Sequence, residues 1–140
     1  MRIEDVVRRK GQQVVTVGSD STVGELIALF TRHRIGAVVV SDGEGRVDGI
    51  VSERDLIPLV EGQDSAGRLV RDVMGRDVVT CSPADDLEAL ARTMTERRVR
   101  HIPVVEDGAM VAIVSIGDVV KHRLDELQAE RDQLASYVHG

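Results

Sequence analysis

Laid over itself at an offset of 64 residues, the 140-residue chain matches its own sequence: Val14-Val15-Thr16 falls on Val78-Val79-Thr80, and Val23, Leu26, Ile27 and Phe30 fall on Leu87, Leu90, Ala91 and Met94. Such a repeat restricts the fold more than any compositional figure. It calls for one supersecondary unit built twice, with a shared core, because a unit of about 60 residues buries too little surface alone. The match continues from Arg34-Ile35 to Arg98-Val99 and from Ala37 through Val40 to His101 through Val104. After a one-residue gap in the next turn, Ile50-Val51-Ser52 meets Ile113-Val114-Ser115, and Asp55 meets Asp118.

Each copy reads as β-α-β-β-α. A β-rich piece (Val14 to Val17; Val78 to Thr80) precedes an apolar pattern with i, i+3, i+4, i+7 spacing, which predicts an amphipathic helix. Thr22 with Glu25 forms a capping box for the first such helix, and Asp85 or Asp86 caps the second. Two strands follow in each copy, Ala37 to Ser41 with Val47 to Val51, and Ile102 to Val105 with Met110 to Val114, joined by Gly-containing turns. A final helix starts just after Ser52 or Ser115. Residues Glu61 to Gly67 read as a linker, which divides the chain into repeat units 1–66 and 67–140. Ile3 to Val7 and Leu69 to Met74 are matching lead-in segments. The last helix is predicted to run on towards Val138, with a stripe of Val120, Leu124, Leu127, Leu134 and Val138 interrupted by Arg131. That stripe either packs on its own module or makes a contact between subunits.

Composition excludes several functions. The longest apolar runs are too short to cross a bilayer, and the charged stretch Met1 to Lys10 has no export-signal pattern, so a cytoplasmic location is expected. A net charge of −6 with one Phe, one Tyr and no Trp argues against nucleic-acid binding. The single cysteine, Cys81, reads as a small buried hydrophobe. His33, His101, His122 and His139 lack metal-site spacing, and no serine has a histidine at an equivalent place in both copies, so no enzyme is expected.

The doubled set of segments resembles the CBS domain over nearly the whole chain. It comprises the two Val-Val-Thr starts, the middles Ile35 to Val40 and Val99 to Val105, and the ends Gly49-Ile50-Val51-Ser52-Glu53-Arg54-Asp55 and Ala112-Ile113-Val114-Ser115-Ile116-Gly117-Asp118. The resemblance implies an α+β fold: a tandem pair of β-α-β-β-α repeats related by a pseudo-two-fold axis, with the long C-terminal helix as an extension. It further implies two clefts between the repeats and a homodimer of modules. The expected ligand is an adenosine nucleotide, AMP first, then ADP, ATP or NAD(H), with S-adenosylmethionine also known in the family.

On that basis the Ser-x-x-Asp at each second helix becomes the leading candidate site. Asp55 and Asp118 would each present two oxygens to the 2′ and 3′ hydroxyls of a ribose, while Ser52 and Ser115 and the helix-start N–H groups would meet a phosphate. The same pattern is also what a plain helix cap looks like. Arg100 and His101, with Arg54, are candidate phosphate contacts; Arg97 and Arg98 also read as a helix end complementing its dipole. So few cations suit a mono- or diphosphate better than a triphosphate. For the base, the resemblance implies backbone bonds from Thr16 and Thr80 and apolar walls from Val38, Ile102 and Pro103. The expected function is a non-catalytic regulatory sensor acting on a separate protein. The alternative is a dimeric interaction adaptor with empty or vestigial clefts.

Overall fold

The computed structural model describes residues 1–11, 14–62 and 65–139, so part of the expected linker, residues 63 and 64, lies outside the described residues. The order of elements is α1 (Ile3–Lys10), β1 (Thr16–Val17), α2 (Val23–His33), β2 (Ala37–Val40), β3 (Gly49–Ser52), α3 (Glu53–Leu56), α4 (Val70–Val73), α5 (Leu87–Arg97), β4 (His101–Glu106), β5 (Ala109–Ser115) and α6 (Ile116–His139). A 3-10 turn over Ile57–Glu61 continues α3. The result is the α+β tandem pair that the repeat calls for, with a long C-terminal helix.

The two copies are built by the same local chemistry. Thr22 Oγ1 accepts from Glu25 N–H at 3.1 Å to open α2, and the Asp86 carboxylate accepts from Ala89 N–H at 3.3 Å to open α5. Both helices end on an arginine in the left-handed conformation, Arg34 (φ 53°) and Arg98 (φ 54°). In each case the next residue's N–H reaches back to the last turn, Ile35 to Phe30 and Val99 to Met94, both at 3.1 Å.

The copies diverge where the sequence supplies a proline. β1 pairs in parallel with β2, Thr16 opposite Val39 and Val17 opposite Val40, and β3 completes the sheet antiparallel. In the second copy β4 and β5 pair alone, and the expected strand over Val78 to Thr80 shrinks to one bridge, Cys81 with Val104. Pro103 stands where the first copy has Val39. It has no N–H to give, so the bridge matching Thr16–Val39 is missing. Its carbonyl still accepts from Cys81 N–H at 3.0 Å, on the side of the strand away from β5. Likewise Pro58 cannot donate to the Arg54 carbonyl, and α3 stops after four residues, while the matched Lys121 lets α6 run for 24.

The unit that packs is not the unit that repeats. Ile3, Val6 and Val7 of α1 are buried with Leu87, Leu90, Met94, Ile102, Val104, Val114 and Val119 of the second repeat. Conversely, Val70, with Val73 and Met74 against it, joins Leu26, Phe30, Val38, Val40 and Val51 of the first. Backbone bonds follow the same exchange: Leu87 N–H to Met1 O at 3.0 Å, and at the matched place Val23 N–H to Arg68 O at 2.8 Å. Each wholly buried Ile or Val contributes roughly 1.5–3 kcal/mol, so neither repeat has a closed core without the other's lead-in. Further ties are the pair of bonds between Ile50 and Gly75 (3.0 and 2.8 Å) and Met110 N–H to Gly45 O at 2.8 Å.

Candidate functional site

The exchange brings the start of α3 from the first repeat opposite the start of β4 from the second. Between them lies an open groove of about 670 Å³. The first repeat contributes Gly36, Ala37, Ile50, Ser52, Glu53, Arg54, Asp55 and Ile57; across it stand Gly75, Arg98, Val99, Arg100 and His101. Five of the expected site residues therefore meet in one place: Ser52, Arg54, Asp55, Arg100 and His101. A neighbouring groove of about 520 Å³, between the end of α2 and α3, shares Gly36 and Glu53 with it but holds no Ser-x-x-Asp.

Asp55 caps its own helix. Ser52 N–H and Ser52 Oγ both donate to Asp55 Oδ2, at 2.8 and 3.2 Å. Among the described residues, every hydrogen bond to this carboxylate ends on Oδ2, which leaves Oδ1 available at an exposed position of the groove wall. Capping and ligand contact are thus compatible in one side chain. His101 is half-buried opposite, and its pKa is lowered from 6.5 by burial first, then by the Lys10 charge and by Arg100, against an upward pull from Asp118.

The pseudo-symmetric position differs. Asp118 Oδ2 accepts from Ser115 N–H at 2.9 Å and Ser115 Oγ at 3.0 Å, as in the first copy, but also from Lys10 Nζ at 2.7 Å. Lys10 ends α1 and donates a second bond, 2.8 Å, to the Ile113 carbonyl. In the first copy the matched carbonyl, Ile50, is taken by the Gly75 N–H instead. Burial pushes the Asp118 carboxyl up, but the Lys10 hydrogen bond, the Ser115 N–H and the Lys10 charge outweigh it, and the net shift is down from 3.8. Asp118 thus has a lysine partner on Oδ2, whereas among the described residues Asp55 has none.

Other expected contacts lie elsewhere. Val38 and Ile102 are wholly buried in the two repeat cores and Pro103 is buried in β4, so none of them lines the groove. Thr16 and Thr80 are exposed and also outside its lining, as are Ser115 and Asp118. The apolar walls come from Ile50, Ile57 and Val99, which sequence reasoning did not single out. The alternation along β3, with Val51 inward and Ile50 outward, was the available signal for Ile50. Nothing local marks Lys10, whose role depends on the lead-in exchange. The Cys81 thiol, pushed up to about 12 by burial and then by Asp85, stays protonated. Among the described residues no group of three or more His, Cys, Asp or Glu side chains could hold a metal, and no helix is long and apolar enough to cross a membrane.

With paired β-α-β-β-α repeats and an inter-repeat groove in place, comparison with known proteins is direct. The CBS domain model matches residues 3–62 and again 70–125, and the chain belongs to that family. The solved CBS-domain containing protein ATU1752 from Agrobacterium tumefaciens is 45% identical, superposes with a TM-score of 0.83, and covers 88% of this chain and 99% of its own. The mitochondrial CBS domain-containing protein CBSX3 of Arabidopsis thaliana is 35% identical over 99% of this chain and 72% of its own length. A more distant structure, CBSX2 in complex with AMP, shares the fold at 23% identity with a TM-score of 0.77, over 89% of this chain and 97% of that one.

Proposed function

We propose that this chain is a non-catalytic regulatory module that binds one adenosine nucleotide, AMP before ADP, ATP or NAD(H), in the groove containing Asp55. The observation that carries the reading is the meeting of Asp55 from one repeat with Arg100 and His101 from the other. A ribose diol would take Asp55 Oδ1, where a charge-assisted bond contributes roughly 1.5–3 kcal/mol. The phosphate would lie towards Arg98, Arg100 and His101, and an adenine face would rest on Ile50, Ile57 and Val99, aliphatic walls that suit a flat apolar surface. Glu53 and Asp55 on the same rim disfavour a triphosphate. A solved family member carrying AMP supports the ligand class.

A ligand touching both repeats favours the relative arrangement it fits best. By linkage, it can shift that arrangement only by its differential affinity for the alternatives, and a separate protein would read the changed surface. Titration calorimetry with AMP is the test. Asp55→Asn keeps an acceptor for Ser52 while removing the charge, and affinity falls by roughly tenfold or more. Unchanged affinity in this variant would remove Asp55, and with it the proposed pose.

A further inference from the structure

The two lead-in segments carry a glycine at matched places and use it differently. Gly75 follows Met74, the extended residue that ends α4, and bridges to Ile50: its N–H donates to the Ile50 carbonyl at 2.8 Å, and its carbonyl accepts from the Ile50 N–H at 3.0 Å. Gly11, at the same offset of 64, makes no such bridge with Ile113. It adopts φ 89°, its N–H turns back to the Val7 carbonyl at 3.0 Å, and α1 runs one residue beyond the matched end of α4. That extra residue is Lys10, whose ammonium takes both the Ile113 carbonyl and Asp118. Glycine can follow either course, so the difference is set by what each lead-in meets.

Beside Gly75 stands Gly49 of β3, and the matched residue of β5 is Ala112. Gly49 pairs with Val40 as Ala112 pairs with Val104, so the two occupy equivalent places in their sheets. A Cβ on Gly49 would stand 2.6 Å from Met74 Sδ and 2.9 Å from Gly75 O. One of those atoms is backbone, so a methyl group there cannot be accommodated by a side-chain shift alone. Ala112 carries that methyl group, at a buried position. We propose that Ala112 is the residue that assigns Lys10 to Asp118. Its methyl group bars the approach that Gly49 permits, so α1 keeps its last residue helical and the lysine takes the carbonyl that a backbone bridge takes in the first repeat. One residue of β5 thus determines which Ser-x-x-Asp carboxylate carries a lysine. The consequence for ligand binding, that Asp118 serves a nucleotide less well than Asp55, rests on the function proposed above; the placement of the lead-in does not.

Cross-strand amide–amide nuclear Overhauser contacts in the full chain test it. In the parent, Gly75 shows the contact to Ile50 and Gly11 shows none to Ile113. Lys10→Met, which gives the first lead-in the side chain found at Met74, leaves that pattern unchanged because the Ala112 methyl group remains. Lys10→Met combined with Ala112→Gly gains the Gly11–Ile113 contact. In the converse variant, Gly49→Ala, the Gly75–Ile50 contact is lost while the amides of β4 and β5 keep their shifts. A Gly11–Ile113 contact already present in Lys10→Met would mean that the lysine itself holds the lead-in off, and would overturn the proposal. Its absence from the folded double variant, or an intact Gly75–Ile50 contact in Gly49→Ala, would do the same. All of these contacts are read without nucleotide, so failure here is distinct from failure of the proposed ligand.

Discussion

Replacing Lys10 by methionine strips Asp118 of its lysine partner. The ammonium of Lys10 donates to Asp118 Oδ2 at 2.7 Å and to the Ile113 carbonyl at 2.8 Å. A hydrogen bond to a charged group contributes roughly 1.5–3 kcal/mol, but an exposed ion pair retains only about 0–1 kcal/mol. With side chains 33% and 23% exposed, the Lys10–Asp118 pair falls between these limits. A value of about 1–2 kcal/mol is consistent with both. A nucleotide that takes Asp118 from Lys10 gives up that contribution, so its apparent affinity there is reduced by about 5- to 30-fold. Titration calorimetry with AMP is therefore expected to show one strong event per parent chain. In Lys10→Met a second event should strengthen by that factor while the first is unchanged. Two equal sites in the parent chain would refute a competing role for Lys10. Loss of the first event in Lys10→Met would show that the lysine serves the ligand rather than excluding it.

Ile3→Ala, at a wholly buried position, should lower stability by about 2–5 kcal/mol in chemical denaturation. Its amide shifts should concentrate around Leu87 to Met94, and shifts confined to the first repeat would contradict the lead-in exchange. A Cβ on Gly49 would stand 2.6 Å from Met74 Sδ and 2.9 Å from Gly75 O, so Gly49→Ala should cost about 1–3 kcal/mol, read as a lowered Tm. An unchanged Tm would mean that the two segments do not approach so closely. The depressed pKa of His101 makes the pH dependence testable. In the free protein, stability from this group is complete above 6.5 and falls as pH drops through the window beneath it, because the unfolded chain takes the proton first. A phosphate beside His101 raises its pKa, so AMP binding in that window should take up a proton. Calorimetry in buffers of different ionisation enthalpy measures this, and the same uptake in His101→Gln would exclude His101 as its source.

The fold was legible because the repeat, the helix caps and the Gly-containing turns between apolar strands all point one way. Thr22 and Asp86 mark helix starts by chemistry that works within four residues, and both act as caps in the structure. What was not legible depends on distant parts of the chain. Val38 and Ile102 have the right character for a ligand wall, but they sit in continuously buried runs of β2 and β4 that the lead-in helices help to cover. The lead-ins themselves look local in sequence. Only their packing reveals that α1 serves the second repeat, and hence that Lys10 reaches Asp118. The loss of the strand at Val78 to Thr80 was written in Pro103, whose missing N–H is a local fact with a consequence across the sheet. The stripe on α6 was visible by its spacing, while its outward orientation required the body beneath it.

The most direct measurement of the central claim is a side-by-side calorimetric titration of the parent chain with AMP and 2′-deoxy-AMP. If the Asp55 carboxylate holds the sugar diol, AMP binds at one strong site and removal of the 2′ hydroxyl weakens it by roughly tenfold or more. Equal affinity for the two, or no binding of either, would contradict the account.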